Sequence, residues 1–201
     1  MPYKTADKVI MFLVKQYTKL FRKARNITSF DELNVIGLSH DIYDEALNIT
    51  KSEIVRLAQT VYKKHRVTEA GEPEPTLDNA WVLALLLAYN PVTKYVYENE
   101  VDRKRARFAE SLIASDTPAE EIDRSLRLWV RMNKQLADDV TFDTMVKAYA
   151  DSGVEKVRWV THVDDRRCKE CKGRHGKIYP IGKIPPKPHR NCRCYVEPAG
   201  K

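Results

Sequence analysis

All four cysteines of this 201-residue chain fall between positions 168 and 194. Cys168 and Cys171 form a C-x2-C pair. After a gap of 17 residues, His189 opens an H-x2-C-x-C run with Cys192 and Cys194. Two ligands on one tight turn grip one side of a tetrahedral ion and two on a second turn close it, which is the spacing a zinc site needs. Two disulfides are the competing reading, and they belong to exported chains. The opening run Met1-Pro2-Tyr3-Lys4-Thr5-Ala6-Asp7-Lys8 has neither an apolar signal core nor a small-residue cleavage site. A reducing cytoplasm and a structural Zn2+ are therefore expected. Five side chains compete for four positions: Cys168, Cys171, His189, Cys192 and Cys194. Cys168 and Cys171 are the firm pair. The choice among the other three is open, because C-x-C can place one or both sulfurs on the ion. Four protein ligands leave no position for substrate, so the ion is expected to be structural and no catalytic residue is assigned. Arg166, Arg167, Lys169 and Arg193 beside the ligands would offset the thiolate charge.

The order of residues around these ligands carries a resemblance. Trp159, Asp164-Asp165-Arg166-Arg167-Cys168-x-x-Cys171, His175-Gly176-Lys177-Ile178-Tyr179, Ile184-Pro185-Pro186 and His189-Arg190-Asn191-Cys192-Arg193-Cys194 follow one another. This run resembles the C-terminal module of the phage Mu F-like minor head proteins, head morphogenesis proteins of tailed bacteriophages. The similarity covers about 45 residues and weakens toward the stretch 139–152. It implies a minor structural protein of the virion, present in a few copies at the portal or capsid interior and in the host cytoplasm during assembly. The implied partners are the phage portal protein, the major capsid protein, or both, with non-specific double-stranded DNA as a further one.

Charge is unevenly placed. Residues 151–201 hold 13 Lys/Arg against 6 Asp/Glu, the whole of the net +7, while residues 1–150 hold 22 of each sign. A neutral body with a basic tail suggests that the tail attracts polyanions, nucleic acid above all. No membrane span is expected. The strongest apolar run, Ala80 to Tyr89, is ten residues long, against the roughly 20 that a span needs.

The expected fold is mostly α: a helical, protein-docking N-terminal body (1–152) followed by a small, basic, zinc-stabilised β-rich C-terminal module (153–201). Val9, Ile10, Leu13, Tyr17, Leu20 and Phe21 form one stripe of a first helix over about 5–25. Ser29-Phe30-Asp31-Glu32 reads as a capping box for a short helix. Ser39 or Asp41 opens a longer one to His65, with Ile42, Ala46, Ile49, Ile54, Leu57, Ala58 and Val61 inward. Gly71, Pro73 and Pro75 mark an exposed loop. Thr76 then caps the apolar helix, expected to be buried all round, and Asn90-Pro91 ends it or starts the next. A helix over 95–115 carries Val101, Phe108, Leu112 and Ile113. Thr117-Pro118-Ala119-Glu120 caps another with Ile122, Leu126, Trp129, Val130 and Leu136. A last one runs over 139–150 to a stop at Gly153. Beyond it, Val157 to Val163 alternates as a strand, residues 177–181 form a hairpin arm, and residues 194–197 pair back. So small a module buries little apolar surface, so metal would supply much of its folding free energy.

Other candidates are weaker. The cluster Arg103-Lys104-Arg105-Ala106-Arg107 reads as a solvated helix face paired with Glu100, Asp102 and Glu110. His162 and His175 read as structural. One of Asp164 and Asp165 is expected to cap the turn that presents Cys168, with an arginine bracing it. Two alternative functions share the zinc module. One is a DNA-binding regulator, which would need a recognition helix or strand in the basic tail. The other is an HNH-type nuclease, which would need His162 or His175 as a general base and a second, open metal site.

Overall fold

The computed structural model describes residues 4–26, 31–68, 72–87 and 97–200. It is mostly helical, with a small C-terminal sheet. Four helices build the body: α1 (Lys4–Lys23), α2 (Glu32–His65), α4 (Tyr97–Ala114) and α5 (Pro118–Asp151). The shorter α3 (Asn79–Leu87) leans on α2 and α4. The stripe Ala6, Val9, Leu13, Tyr17, Leu20 and Phe21 is the buried face of α1. Its rings meet those of three other helices. Tyr17 and Tyr43 pack edge-on against Trp129, with centroids 5.7 and 5.1 Å apart, and Phe21 packs against Phe108 at 5.5 Å. Two hydroxyls of this core are paired, whereas the buried Trp129 Nε1 has no hydrogen-bond partner among the described residues. The Tyr17 hydroxyl lies 2.5 Å from Thr50 Oγ1, and Tyr97 donates to Asn133 Oδ1 at 3.0 Å.

Two boundaries differ from the sequence expectation in the same way. The short helix at Glu32 and the longer one at Ser39 are a single 34-residue helix, α2. Gly37 lies inside it with open space around the position of a Cβ, and Ser39 turns its hydroxyl back onto the Ile36 carbonyl at 2.7 Å. Asp31 is the N-cap, accepting from Asn34 N–H at 3.0 Å. Ser29 and Phe30 lie outside the described residues, as do Tyr95 and the Asn90-Pro91 stop. The helices expected on either side of residue 138 are likewise one 34-residue helix, α5, about 50 Å long. Asp138 and Asp139 do not open a helix. They lie within one and are 6% and 3% exposed.

Two further expectations are corrected. Thr76 does not cap α3; Asp78 does, its Oδ1 accepting from Ala80 N–H at 2.8 Å. Nor is α3 buried all round. Val82 and Leu86 are buried, whereas Leu83 and Leu87 are 42% and 54% exposed. Nine residues docked on one side can bury only one face. On α4, Ile113 also points outward. No helix among the described residues is long and apolar enough to cross a membrane.

Helix α5 ends at Gly153, whose φ of +70° is the left-handed conformation glycine adopts most cheaply. The last turn closes through Val154 N–H to Tyr149 O at 3.0 Å and Gly153 N–H to Ala150 O at 3.0 Å. The chain then forms an antiparallel sheet in the order β2-β1-β3, with β1 at Lys156–Val160, β2 at Ile178–Pro180 and β3 at Tyr195–Pro198. Strand β1 stops three residues short of the expected Val163. It has turned by Asp164, where the ligand-bearing segment begins. Val157, Trp159 and Val196 face inward and are fully buried. Trp159 meets Phe142 of α5 with centroids 5.6 Å apart, so one hydrophobic core runs through both halves of the chain.

The C-terminal end of α2 is fastened to that of α5. Tyr62 donates to Asp151 Oδ2 at 2.6 Å, and His65 Nδ1 lies 2.9 Å from the Tyr149 hydroxyl. Burial, and then the charge of Lys64, lower the His65 pKa from 6.5 to about 4. A histidine kept neutral in the fold binds its proton more readily once unfolded. Its effect on stability is absent well above pH 6.5 and grows as a destabilisation while pH falls toward 4. Urea midpoints at pH 7 and pH 4 should therefore separate more in the wild-type chain than in His65→Gln. Equal separations would show that His65 is not held neutral.

Candidate metal centre

The first ligand turn is built by its own backbone. Cys168 is the N-cap of a short helix, α6 (Lys169–Arg174), and its Sγ accepts from Cys171 N–H at 3.3 Å. That bond places the two sulfurs of the C-x2-C pair on one side of the turn. Upstream, Asp164 Oδ1 accepts from Arg166 N–H at 3.1 Å. An aspartate does cap the approach to Cys168, as expected. The arginine that braces it is not a neighbour in sequence but Arg193, between Cys192 and Cys194, whose guanidinium sits 2.7 and 2.6 Å from the two Asp164 oxygens. The hydrogen bond from Arg193 is the main reason the Asp164 carboxyl lies below its ordinary range. This exposed pair adds little stability. It sets the register of the two ligand turns.

The second ligand turn depends on α5. Asn191 has a φ of +59°, a left-handed conformation that asparagine tolerates better than most residues. Its N–H donates to Gln135 Oε1, and Gln135 Nε2 donates to Asp139 Oδ2. Asp139 also faces Lys187 Nζ at 3.3 Å. That ammonium is 3% exposed, donates to the Asp138 carbonyl at 2.9 Å and lies 5.2 Å from the Phe142 ring centroid. The network Asn191–Gln135–Asp139–Lys187 thus pins the segment carrying the second ligand pair to the bundle.

These supports bring all five expected ligands together. Cys168, Cys171 and His189 form one group that could hold a metal ion, and Cys171, Cys192 and Cys194 form another, with the donor atoms in each within 4.8 Å of one another. Cys171 belongs to both. His189 Nε2 is 3.2 Å from Cys168 Sγ and 3.3 Å from Cys171 Sγ, and Cys171 Sγ is 3.6 Å from Cys192 Sγ. All four cysteines are free thiols. His189 Nδ1 lies 2.8 Å from the Arg190 carbonyl. A carbonyl only accepts, so the proton sits on Nδ1, and Nε2 turns a lone pair toward the sulfurs.

The thiols resist sharing negative charge. Burial pushes Cys171 up to about 12. Cys192 is driven higher by its hydrogen bond to Cys194, while that bond holds Cys194 down to about 5. The backbone N–H of Cys171 lowers Cys168. A protein offering this donor set without a cation can ionise only some of it, and a bound cation removes that conflict. The donors therefore fit a thiophilic metal.

His162 and His175 lie outside both groups. His175 Nδ1 accepts from Thr161 N–H at 3.2 Å, and His162 packs edge-on to Tyr195 at 6.3 Å. Gln135, Asp139 and Lys187 were not legible as part of the site. No protein-family model, curated protein or solved structure matches this chain.

Cys171→Ser should abolish metal binding, because it removes the ligand common to both groups. His175→Ala should leave metal content unchanged, as read by elemental analysis of the purified chain. Retention of a full equivalent in Cys171→Ser would show that Cys171 is not a required ligand. Lys187→Met leaves Asp139 buried and unpaired, a defect of about 3–5 kcal/mol. Adding Asp139→Leu should restore much of that loss in chemical denaturation. A double variant as unstable as the single would mean that the pair is not the source.

Proposed function

We propose that this chain is a minor structural protein of a tailed-bacteriophage head, built as a helical docking body that carries a structural Zn2+ module. The observation that carries the reading is the resemblance of residues 159–194 to the Mu F-like module. Supporting it, the Cys and His residues at the two ends of that run lie around one centre, with the Asp164–Arg193 pair joining the two turns. Zinc suits the donors. With Zn–S near 2.3 Å, tetrahedral sulfurs stand about 3.8 Å apart, close to the 3.6 Å between Cys171 and Cys192. Four ligands taken from Cys168, Cys171, His189, Cys192 and Cys194 fill the ion's coordination. Its role is then to fold the tail, not to activate water.

In this reading the body (1–152) docks on the portal or major capsid protein, while the basic module (153–201) braces that contact and meets packaged double-stranded DNA through its phosphates. The nuclease alternative would have to use His162 as its base, because the Nδ1 of His175 accepts from a backbone N–H, which puts the ring proton on Nε2. The chain should sediment with DNA-filled capsids from phage-producing cells, at a few copies per particle and with about one zinc per chain. Recovery entirely in the supernatant would sink the virion role and bring forward a DNA-binding regulator.

A further inference from the structure

The turn between His189 and Cys192 closes a cleft of about 200 Å3 against the bundle. Glu100 and Lys104 of α4, Arg131 and Gln135 of α5, and Arg190 and Asn191 of the turn surround it, over a floor of Leu128 and Met132. Three cations therefore face one carboxylate. Glu100 is itself 8% exposed and already engaged by Arg103, with Arg190 at 3.9 Å. Lys104 is half-buried and has no carboxylate partner among the described residues. The rest of the basic run is spent differently. Arg105 pairs with Asp102 at 3.1 Å and Asp44 at 3.5 Å, on another side of α4. The sequence reading of a uniformly solvated, paired face thus holds for Arg103 and Arg105 but not for Lys104.

We propose that this cleft binds a phosphate oxyanion, with Lys104 and Arg131 as its main contacts and Arg190 closing the third side. Planar guanidinium forks suit tetrahedral oxyanions, and an ammonium supplies a point charge beside them. Met132 is buried beneath the cleft, while Leu128, Arg131 and Arg190 are exposed at its rim, so an anion can enter from solvent. Burial first, then the charges of Arg103, Arg107, Arg190 and Arg131, lower the Lys104 pKa, the mark of a site short of negative charge. The third wall stands only while Asn191 N–H is seated on Gln135, so the site depends on a folded ligand turn. The proposal does not rest on the virion reading. The phosphate can come from a polynucleotide backbone or from free phosphate.

The test uses the full-length chain purified with its metal and two probes, inorganic phosphate by calorimetry and a short fluorescein-labelled DNA duplex by anisotropy. Lys104→Gln and Arg131→Gln each remove a cleft cation. Lys8→Gln removes an exposed one on α1 as a control. Thermal melts and metal content confirm that the variants are folded. At least one probe should bind on the order of tenfold more weakly to each cleft variant, the factor expected for losing one charge-assisted hydrogen bond, and as well to Lys8→Gln as to wild type. Weakening with the duplex alone identifies the backbone as the source. Weakening with inorganic phosphate alone identifies free phosphate, and weakening with both allows either source. The proposal is overturned if neither probe binds, if the cleft variants bind like wild type, or if Lys8→Gln loses as much as they do.

Discussion

The ammonium of Lys187 sits in the interior, and the C-terminal architecture depends on what it meets there. Removing a charge from water costs several kcal/mol, recovered only when partners are correctly placed. The Asp138 carbonyl, the Asp139 carboxylate and the face of Phe142 are all presented by successive turns of α5. Helix α5 therefore cannot break at these aspartates, although their residue type would suit a helix start. An interruption would dismantle the cradle and strand the charge. The continuity of α5 and the position of the segment carrying the candidate ligands are both compatible with this buried pair.

The same helix is the common wall of both halves of the chain. Its N-terminal turns carry Trp129 into the aromatic cluster with Tyr17 and Tyr43. Its C-terminal turns carry Phe142 to Trp159 on the sheet. A module of three strands, the longest of five residues, has little core of its own. It borrows apolar surface from α5 and adds a cluster of ligands that an ion would bind together. The two contributions are complementary. The helix orients the second ligand turn through Gln135, and the Asp164–Arg193 pair relates that turn to the first.

At the centre itself, four thiols and one imidazole lie close together, and burial and shared hydrogen bonds raise Cys171 and Cys192 while lowering Cys194, so that only part of the set ionises without a cation. In the phage-head reading the ion gives rigidity, and recognition is left to the surfaces of the helices and the basic tail. The cleft beside the ligand turn links these roles. Arg190 and Asn191 belong both to the turn that presents the ligands and to the wall of a cationic pocket.

Much of the site was legible because it is local. C-x2-C and H-x2-C-x-C are short-range patterns, and each turn presents its donors through its own backbone, as the Cys171 N–H to Cys168 bond does. The amphipathic stripe of α1 and the left-handed stop at Gly153 are local for the same reason. What sequence reasoning missed is non-local. Gly37 and Ser39 look like a break, yet α2 continues because tertiary packing outweighs a residue's modest helix preference. The apolar run of α3 reads as fully buried, but how many faces a helix buries depends on its neighbours. Arg193 reaching Asp164, Lys187 reaching α5 and Lys104 facing Arg131 and Arg190 across a cleft each bring together residues far apart in the chain. The sequence by itself determined the donor atoms, the helical body and the uneven charge, since these follow from residue type and spacing. Only the tertiary structure decided which charges are buried, which are paired and which face an open cleft, because those depend on distances through space.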